Sequence, residues 1–142
     1  MDDIKFSLFG NDIKDEQINQ QGWDKVYQKM YKEIENNLKQ GKTVINDTGN
    51  FTKHERSLVK EIADKLKLET IEVFIDTPKE VARQRWLENK KTNKRFDTSE
   101  DDFNSTVIEM EPPRGNNVIK YKYPQPIDVW IATIFNPNEV PD

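Results

Sequence analysis

The sequence contains no cysteine and a single histidine, His54, among its 142 residues. The first absence excludes disulfide bonds, thiol catalysis and cysteine-ligated metal. The second excludes metal sites built from several histidines and argues against a serine–histidine triad. No apolar run approaches the roughly 20 residues that a membrane-spanning helix needs, and the acidic start Met1-Asp2-Asp3 is unlike a signal peptide. We therefore expect a cytoplasmic protein whose chemistry comes from carboxylates, arginine, lysine and hydroxyl groups.

Basic charge is also in short supply, since 22 basic residues face 26 acidic ones and leave a net charge of −4. This balance does not indicate a protein that binds nucleic acid through electrostatics. Three tryptophans, seven phenylalanines and four tyrosines nevertheless supply enough large apolar side chains for a core. A chain of this length and composition predicts one globular domain over residues 1–142.

Glycine is scarce, with five residues, and only Gly41-Lys42-Thr43 suggests a phosphate-binding loop. That motif needs another glycine five positions before Gly41, where Asn36 stands, and it must follow a strand and begin a helix. Here a predicted helix comes before it and a predicted strand after it. The tripeptide therefore predicts the end of a helix, and the sequence holds no other glycine-rich phosphate loop.

Helical and strand patterns alternate along the chain. Apolar residues spaced by three and four predict a helix over 22–41, and Thr52-Lys53-His54-Glu55 has the spacing of a capping box that begins the next one. Thr77-Pro78-Lys79-Glu80 and the acidic stretch after Ser99 predict two further helix starts.

Short runs rich in β-branched residues predict strands at 43–47, 70–75 and 129–133. The order of elements predicts an α/β fold in which helical crossovers join parallel strands. Ligands of such sheets bind beyond the carboxyl ends of the strands. Asp47 and Asp76 follow two of these predicted strands and are therefore placed where chemistry is expected.

Asp47-Thr48-Gly49-Asn50 closes the first predicted strand and admits two interpretations. A carboxylate at a strand end can hold water bound to Mg²⁺, while threonine and asparagine can donate hydrogen bonds to phosphate. The same residues also make an ordinary turn ahead of the helix that Thr52 caps. The spacing alone does not decide between the two.

Two charged stretches are equally open to interpretation. Asp2-Asp3-Ile4-Lys5 contains carboxylates that could accept a proton from a substrate hydroxyl, or it is simply a solvated terminus. The basic residues of the second stretch could close over a phosphate, or they form a solvated helix end. These residues are Arg83, Arg85, Lys90, Lys91, Lys94 and Arg95.

Taken in order, these pieces resemble the middle and C-terminal parts of small P-loop kinases of the zeta-toxin and polynucleotide-kinase-like group. The matching stretches are residues 2–10, 39–52, 55–56 and 74–85. The resemblance covers residues 1–113 and leaves 114–142 as a proline-rich tail with one strand.

The resemblance implies a role for each matching residue. Asp2 takes the place of the general base, and Lys5 takes the place of an arginine that helps to bind the acceptor. Asp47 is implied as the carboxylate that assists Mg²⁺, and Arg85 as an arginine that contacts the nucleotide phosphates. Asn89 stands where a second such arginine is common, and Arg95 is its substitute. The implied acceptor-binding residues are Thr48, Asn50 and Arg56.

Members of this group begin with a strand, a glycine-rich loop, a helix and a second strand, none of which this sequence contains. The resemblance therefore implies a three-layer P-loop NTPase-like fold that is truncated at its N-terminus. The parent activity would be ATP- and Mg²⁺-dependent transfer of phosphate to a hydroxyl on a small molecule, a nucleotide or a nucleic-acid end. We expect the chain to be inactive alone and another chain to be able to complete the sheet.

Two alternatives to a kinase remain open at this stage. One is a non-catalytic remnant or partner-dependent half-domain that acts as a binding protein. The other is a hydrolytic metal site made from the carboxylates of Asp2, Asp3 and Asp47.

Overall fold

The computed structural model describes residues 1–92, 94 and 98–135. Its elements, in chain order, are α1 (Asp2–Phe9), a 3₁₀ turn (Asp15–Gln17), α2 (Gln20–Lys39), α3 (Lys53–Lys65), β1 (Glu72–Asp76), α4 (Lys79–Thr92), α5 (Glu100–Glu109), β2 (Val118–Lys122) and α6 (Ile127–Phe135). The chain divides into two compact units, the first spanning Met1–Thr70 and the second beginning at Ile71. Within the described ranges, no helix has both the length and the apolar character needed to cross a membrane.

The core of the first unit is built around α2. The side chains of Val26, Met30 and Ile34 recur every four residues and are buried, and α2 contacts both α1 and α3. The side chain of Asn19 accepts a hydrogen bond from the amide of Gly22 and so caps the helix. The predicted helix over 22–41 is confirmed, with bounds shifted by two residues.

The start of α3 is the capping box that the sequence predicts. The Thr52 hydroxyl accepts a hydrogen bond from the Glu55 amide at 3.2 Å, and the Glu55 carboxylate accepts one from the Thr52 amide at 2.8 Å. Two backbone donors at the helix start are thereby satisfied. The Ser99 hydroxyl caps α5 in a similar way through the Asp102 amide, which confirms that predicted start as well.

The second unit contains a parallel pair of strands. β1 and β2 are hydrogen-bonded with Glu72 opposite Val118 and Asp76 opposite Lys122, and α4 and α5 lie between them in the chain. This pair confirms the predicted α/β class and the predicted parallel pairing across helical elements. Because both strands run in the same direction, their carboxyl ends meet at one edge.

Two of the predicted strands are wrong. Residues 43–47 form no strand, because no neighbouring strand in the described part of the chain offers them a hydrogen-bonded ladder, and Ile45 is 87% exposed. Residues 129–133 belong to helix α6, in which the Trp130 amide donates to the carbonyl of Pro126. Proline just ahead of the first turn favours a helix start and outweighs the β-branched composition. The strand that does form in this region, β2, was not predicted.

Replacement of Ile34 by alanine tests the α2 core. Ile34 is 7% exposed, so the change removes buried methylene groups and leaves a cavity. We expect the free energy of unfolding to fall by about 2–4 kcal/mol, measured by urea denaturation. Ile45→Ala is the matched control in the same unit and should change stability by less than about 0.5 kcal/mol. Equal losses in the two variants would contradict this core.

Candidate functional site

A groove in the first unit brings together two of the sequence-predicted stretches. Its volume is about 290 Å³, and its walls are the start of α1, the middle of α2 and the segment after it. Met1, Ile4, Asp47 and Thr48 are among the residues that line it. Met1, which precedes the predicted base Asp2, and Asp47, the predicted Mg²⁺ carboxylate, therefore border the same open space.

The turn at 46–51 is closed by its own side chains. The Asn46 side-chain amide donates to the Asn50 side-chain oxygen at 3.1 Å, and the Asn50 amide donates back to the Asn46 carbonyl at 3.2 Å. Asn50 adopts a φ of 48°, a left-handed conformation that asparagine tolerates better than most residues. At Gly49 a Cβ atom would stand 2.8 Å from the Phe51 ring. The sequence Thr-Gly-Asn therefore fits the shape of this turn residue by residue.

Arg56 holds the same turn from α3. One of its guanidinium nitrogens donates to the carbonyl oxygens of Asn50 and Phe51, each at 3.0 Å. Two backbone acceptors that lie outside any strand or helix are thus satisfied by a charged donor. The structure places Arg56, Asn50 and Thr48 together, with the first two engaged in contacts that shape the turn.

Lys5 is buried, although the charged residues next to it in the sequence are exposed. Only 2% of the residue is exposed, and its ammonium lies 2.7 Å from the Asp15 carboxylate and 3.4 Å from that of Asp2. Burial acts to lower the pKa of Lys5. The hydrogen bond to Asp15 and the charges of Asp15 and Asp2 outweigh it and raise the pKa above its ordinary value of 10.5. Asp2 itself stays exposed at the start of α1.

A pair of tyrosines beside the turn escaped the sequence analysis as site residues. Tyr27 and Tyr31 have ring centroids 6.3 Å apart on α2 and line a small pocket with Thr48 and Asn50. Burial raises the pKa of both hydroxyls, and the charge of Glu55 adds to the effect. Their i, i+4 spacing was visible in the sequence, but helical spacing alone does not separate core aromatics from site aromatics.

The second unit gathers charged side chains at the carboxyl end of its sheet. Asp76 ends β1, as the sequence predicts, and its carboxylate lies 2.9 Å from the ammonium of Lys120 on β2. The amide of Tyr123, just past β2, donates to the Asp76 carbonyl at 3.3 Å. This is the edge at which α/β sheets present ligand-binding groups.

The two arginines of α4 differ in their surroundings. Arg83 pairs with Glu100 at 3.2 Å and lies 5.9 Å from the centre of the Trp86 ring, which also stacks on Phe103. Arg85 is exposed and lies over the Tyr123 ring at 5.1 Å. Within the described ranges no hydrogen bond or ion pair engages the Arg85 side chain. Arg95, predicted as its substitute partner, lies outside the described residues.

The residues present fit Mg²⁺ and ATP only in part. Mg²⁺ in nucleotide sites is held through one or two carboxylates and the substrate's own phosphates, so an exposed Asp47 beside the Thr48 hydroxyl suits it. No group of three metal-ligating side chains occurs within residues 1–92, 94 and 98–135. The described structure therefore does not bring the carboxylates of Asp2, Asp3 and Asp47 together as a metal site. The phosphate cradle of an ATP site has no counterpart in the sequence, which lacks the glycine-rich loop.

Comparison with protein families gives one match. The family model described as "AAA domain" matches residues 1–113, the same range that the resemblance to P-loop kinases covers. The matched range includes the groove and turn of the first unit as well as β1 and α4. Searches of curated proteins and of solved structures found no significant match.

Replacement of Asp15 by asparagine tests the buried Lys5 ion pair. The change leaves an almost fully buried ammonium short of a carboxylate, so we expect a loss of about 1–2 kcal/mol in the free energy of unfolding near pH 7. The folded-state pKa of Lys5 is raised, so this contribution is complete below pH 10.5 and disappears as the pH rises through the raised value. Urea denaturation of both proteins across this range measures the difference.

Asp64→Asn is the matched control, because the Lys60–Asp64 pair is equally short, 2.8 Å, but about half exposed. It should cost less than about 0.5 kcal/mol at any pH. A loss in Asp15→Asn no larger than in this control, or one that persists when Lys5 is neutral, would contradict the assignment.

Proposed function

The chain belongs to the AAA domain family, and from this membership we propose that it is the kinase-like part of an enzyme that transfers the γ-phosphoryl group of ATP to a hydroxyl acceptor. The family is P-loop NTPase-like, and nucleotide binding in an α/β domain is its common property. The observation that carries the proposal is the family match over the range that holds every described candidate residue. The groove in the first unit and the sheet edge in the second supply the local chemistry.

Asp2 is the general base in this proposal. Its carboxylate is exposed at the start of α1, next in the chain to Met1, which lines the groove. It can accept the proton of an acceptor hydroxyl as that oxygen attacks phosphorus. Lys5 fixes the position of Asp2 through their 3.4 Å contact, since its ammonium is already bound to Asp15. We assign Lys5 to orienting the base, because so little of it is exposed to an acceptor.

Asp47 and Thr48 form the metal and phosphate side of the groove. When bound, Mg-ATP supplies the phosphoryl group and the cation that neutralises its charge. Asp47 would hold water of the metal ion, and the Thr48 hydroxyl would donate to a phosphate or acceptor oxygen. Asn50 and Arg56 serve this side by keeping the turn in place. Arg85 would contact the nucleotide phosphates, as a planar donor suited to their geometry.

We further propose that the phosphate cradle comes from a segment outside these 142 residues, on the same chain or on a partner. The sequence lacks the loop. Apolar side chains are exposed in both units, with Ile45 at 87% in the first and Val73 at 48% and Ile75 at 51% on β1 in the second. Within the described ranges each strand is paired on one side only. Additional strands would cover these groups and complete a three-layer fold.

The exposed apolar residues also favour a second candidate, a partner-dependent half-domain with a purely binding role. Such a protein would keep the helices and sheet but would need no general base. The two candidates therefore differ in whether the carboxylate of Asp2 matters for phosphoryl transfer.

Replacement of Asp2 by asparagine in the full natural protein distinguishes the enzyme from the binding protein. ATP turnover is measured with hydroxyl acceptors of several classes, namely nucleosides, sugars and oligonucleotides with a free 5′-hydroxyl. We expect at least a roughly 100-fold loss of kcat in Asp2→Asn, because the attacking hydroxyl loses its proton acceptor. Asp3→Asn, which removes the neighbouring carboxylate and the same charge, should stay within about threefold of the original enzyme. No acceptor-dependent turnover at all would favour the binding role, whereas equal losses in both variants would contradict the assignment of Asp2 as the base.

A further inference from the structure

We propose that Tyr123 is a positioning residue for Arg85: its ring holds the guanidinium at the carboxyl end of the β1–β2 pair, ready to engage the phosphates of a nucleotide. The inference rests on the proposed function, in which Arg85 contacts phosphate, and adds the residue that orients it. Neither the motifs of the sequence nor the family match points to Tyr123. Tyr123 is identified by its contact with Arg85, between α4 and the end of β2.

The backbone at Tyr123 is held by hydrogen bonds on both sides. Its own amide donates to the Asp76 carbonyl at 3.3 Å, which continues the strand pairing past β2. Two residues later the Gln125 amide donates to the Lys122 carbonyl at 3.2 Å and turns the chain. The ring therefore stands at the edge where both parallel strands end, and it is partly buried there.

The guanidinium of Arg85 lies 5.1 Å from the centre of this ring, within the range of a cation–π interaction. Such a contact restrains an arginine without occupying its hydrogen-bond donors, because the ring attracts the charge through its face. An ion pair instead offsets the charge and occupies a donor, as at Arg83, one of whose guanidinium nitrogens lies 3.2 Å from the Glu100 carboxylate. Both arginines lie over an aromatic ring, but of the two only Arg83 is paired with a carboxylate within the described ranges.

Restraint matters at this position because the chain carries a net charge of −4, so overall electrostatics do not attract a polyphosphate. A long exposed arginine also loses rotamer freedom when it binds. Holding it over Tyr123 before the ligand arrives reduces that loss. The ring thus contributes to phosphate affinity without touching the phosphate.

The test uses four variants and two NMR measurements, one of the Tyr123–Arg85 contact and one of phosphate affinity. Tyr123→Phe keeps the ring, Tyr123→Leu removes it without changing the charge, and Arg85→Met removes the cation. Ring-current shifts of the Arg85 side-chain protons report the contact in the absence of any ligand. Titration with inorganic tripolyphosphate reports affinity, and Arg83→Met serves as the control for loss of a nearby positive charge.

We expect upfield-shifted Arg85 protons in the original protein and in Tyr123→Phe, and ordinary shifts in Tyr123→Leu. We expect tripolyphosphate to bind about threefold more weakly to Tyr123→Leu and more weakly still to Arg85→Met. Its affinity for Tyr123→Phe and for Arg83→Met should equal that for the original protein.

Two results would overturn the inference itself: ordinary Arg85 shifts in the original protein, or normal tripolyphosphate affinity in Tyr123→Leu when Arg85→Met is impaired. A different result would contradict the proposed phosphate role of Arg85. If Arg85→Met binds tripolyphosphate as well as the original protein does, Arg85 has no phosphate role, and the positioning role falls with it even where the ring-current shift is present.

Discussion

The parallel ladder between β1 and β2 is the constraint on which the arrangement of the second unit depends. Because Asp76 pairs with Lys122, both strands end at the same level, and Tyr123 and the Asp76–Lys120 ion pair fall at one edge. A slip of one residue would turn every side chain of a strand to the opposite face and dismantle this edge. The same ladder leaves the outer side of each strand unpaired within the described ranges. The β1–β2 ladder thus forms the edge that carries the candidate residues and also leaves strand edges that further strands could pair with.

Cations in the two units are used in different ways. Lys5 and Arg56 sit inside the first unit, where one joins α1 to the turn at Asp15 and the other holds the carbonyls of Asn50 and Phe51. Arg85 stays exposed, held by an aromatic ring rather than by an anion. Charge alone does not make a binding residue. A buried cation that already has its acceptors shapes the site, while a cation that retains its donors can bind a ligand.

The sequence predicted the helices well, because their caps and apolar spacing depend on residues that are close together in the chain. The capping box of Thr52 and Glu55 and the apolar spacing of Val26, Met30 and Ile34 on α2 identified their helices because each depends on residues within one or two turns. Strands were predicted less well, since a strand exists only with a partner. The β-rich run around Ile45 has none in the described part of the chain, whereas the Val-Ile-Lys-Tyr-Lys run of β2 pairs with β1. The same division applies to the candidate site: Asp47 and Arg85 were predicted from the resemblance to a kinase group, and their roles stay predictions. The burial of Lys5 and the ring beneath Arg85 depend on contacts that are distant in the sequence.

The central claim is the proposal that the first unit carries acceptor-side residues and the second carries a phosphate-binding arginine, Arg85, while the phosphate cradle lies outside the 142 residues. Calorimetric titration of the purified 142-residue chain with Mg-ATP tests this most directly, because backbone amides of the cradle carry most of the phosphate affinity. The account predicts no saturable binding tighter than about 1 mM, the weak end of ordinary substrate affinities. Saturable one-to-one binding in the micromolar range would contradict it.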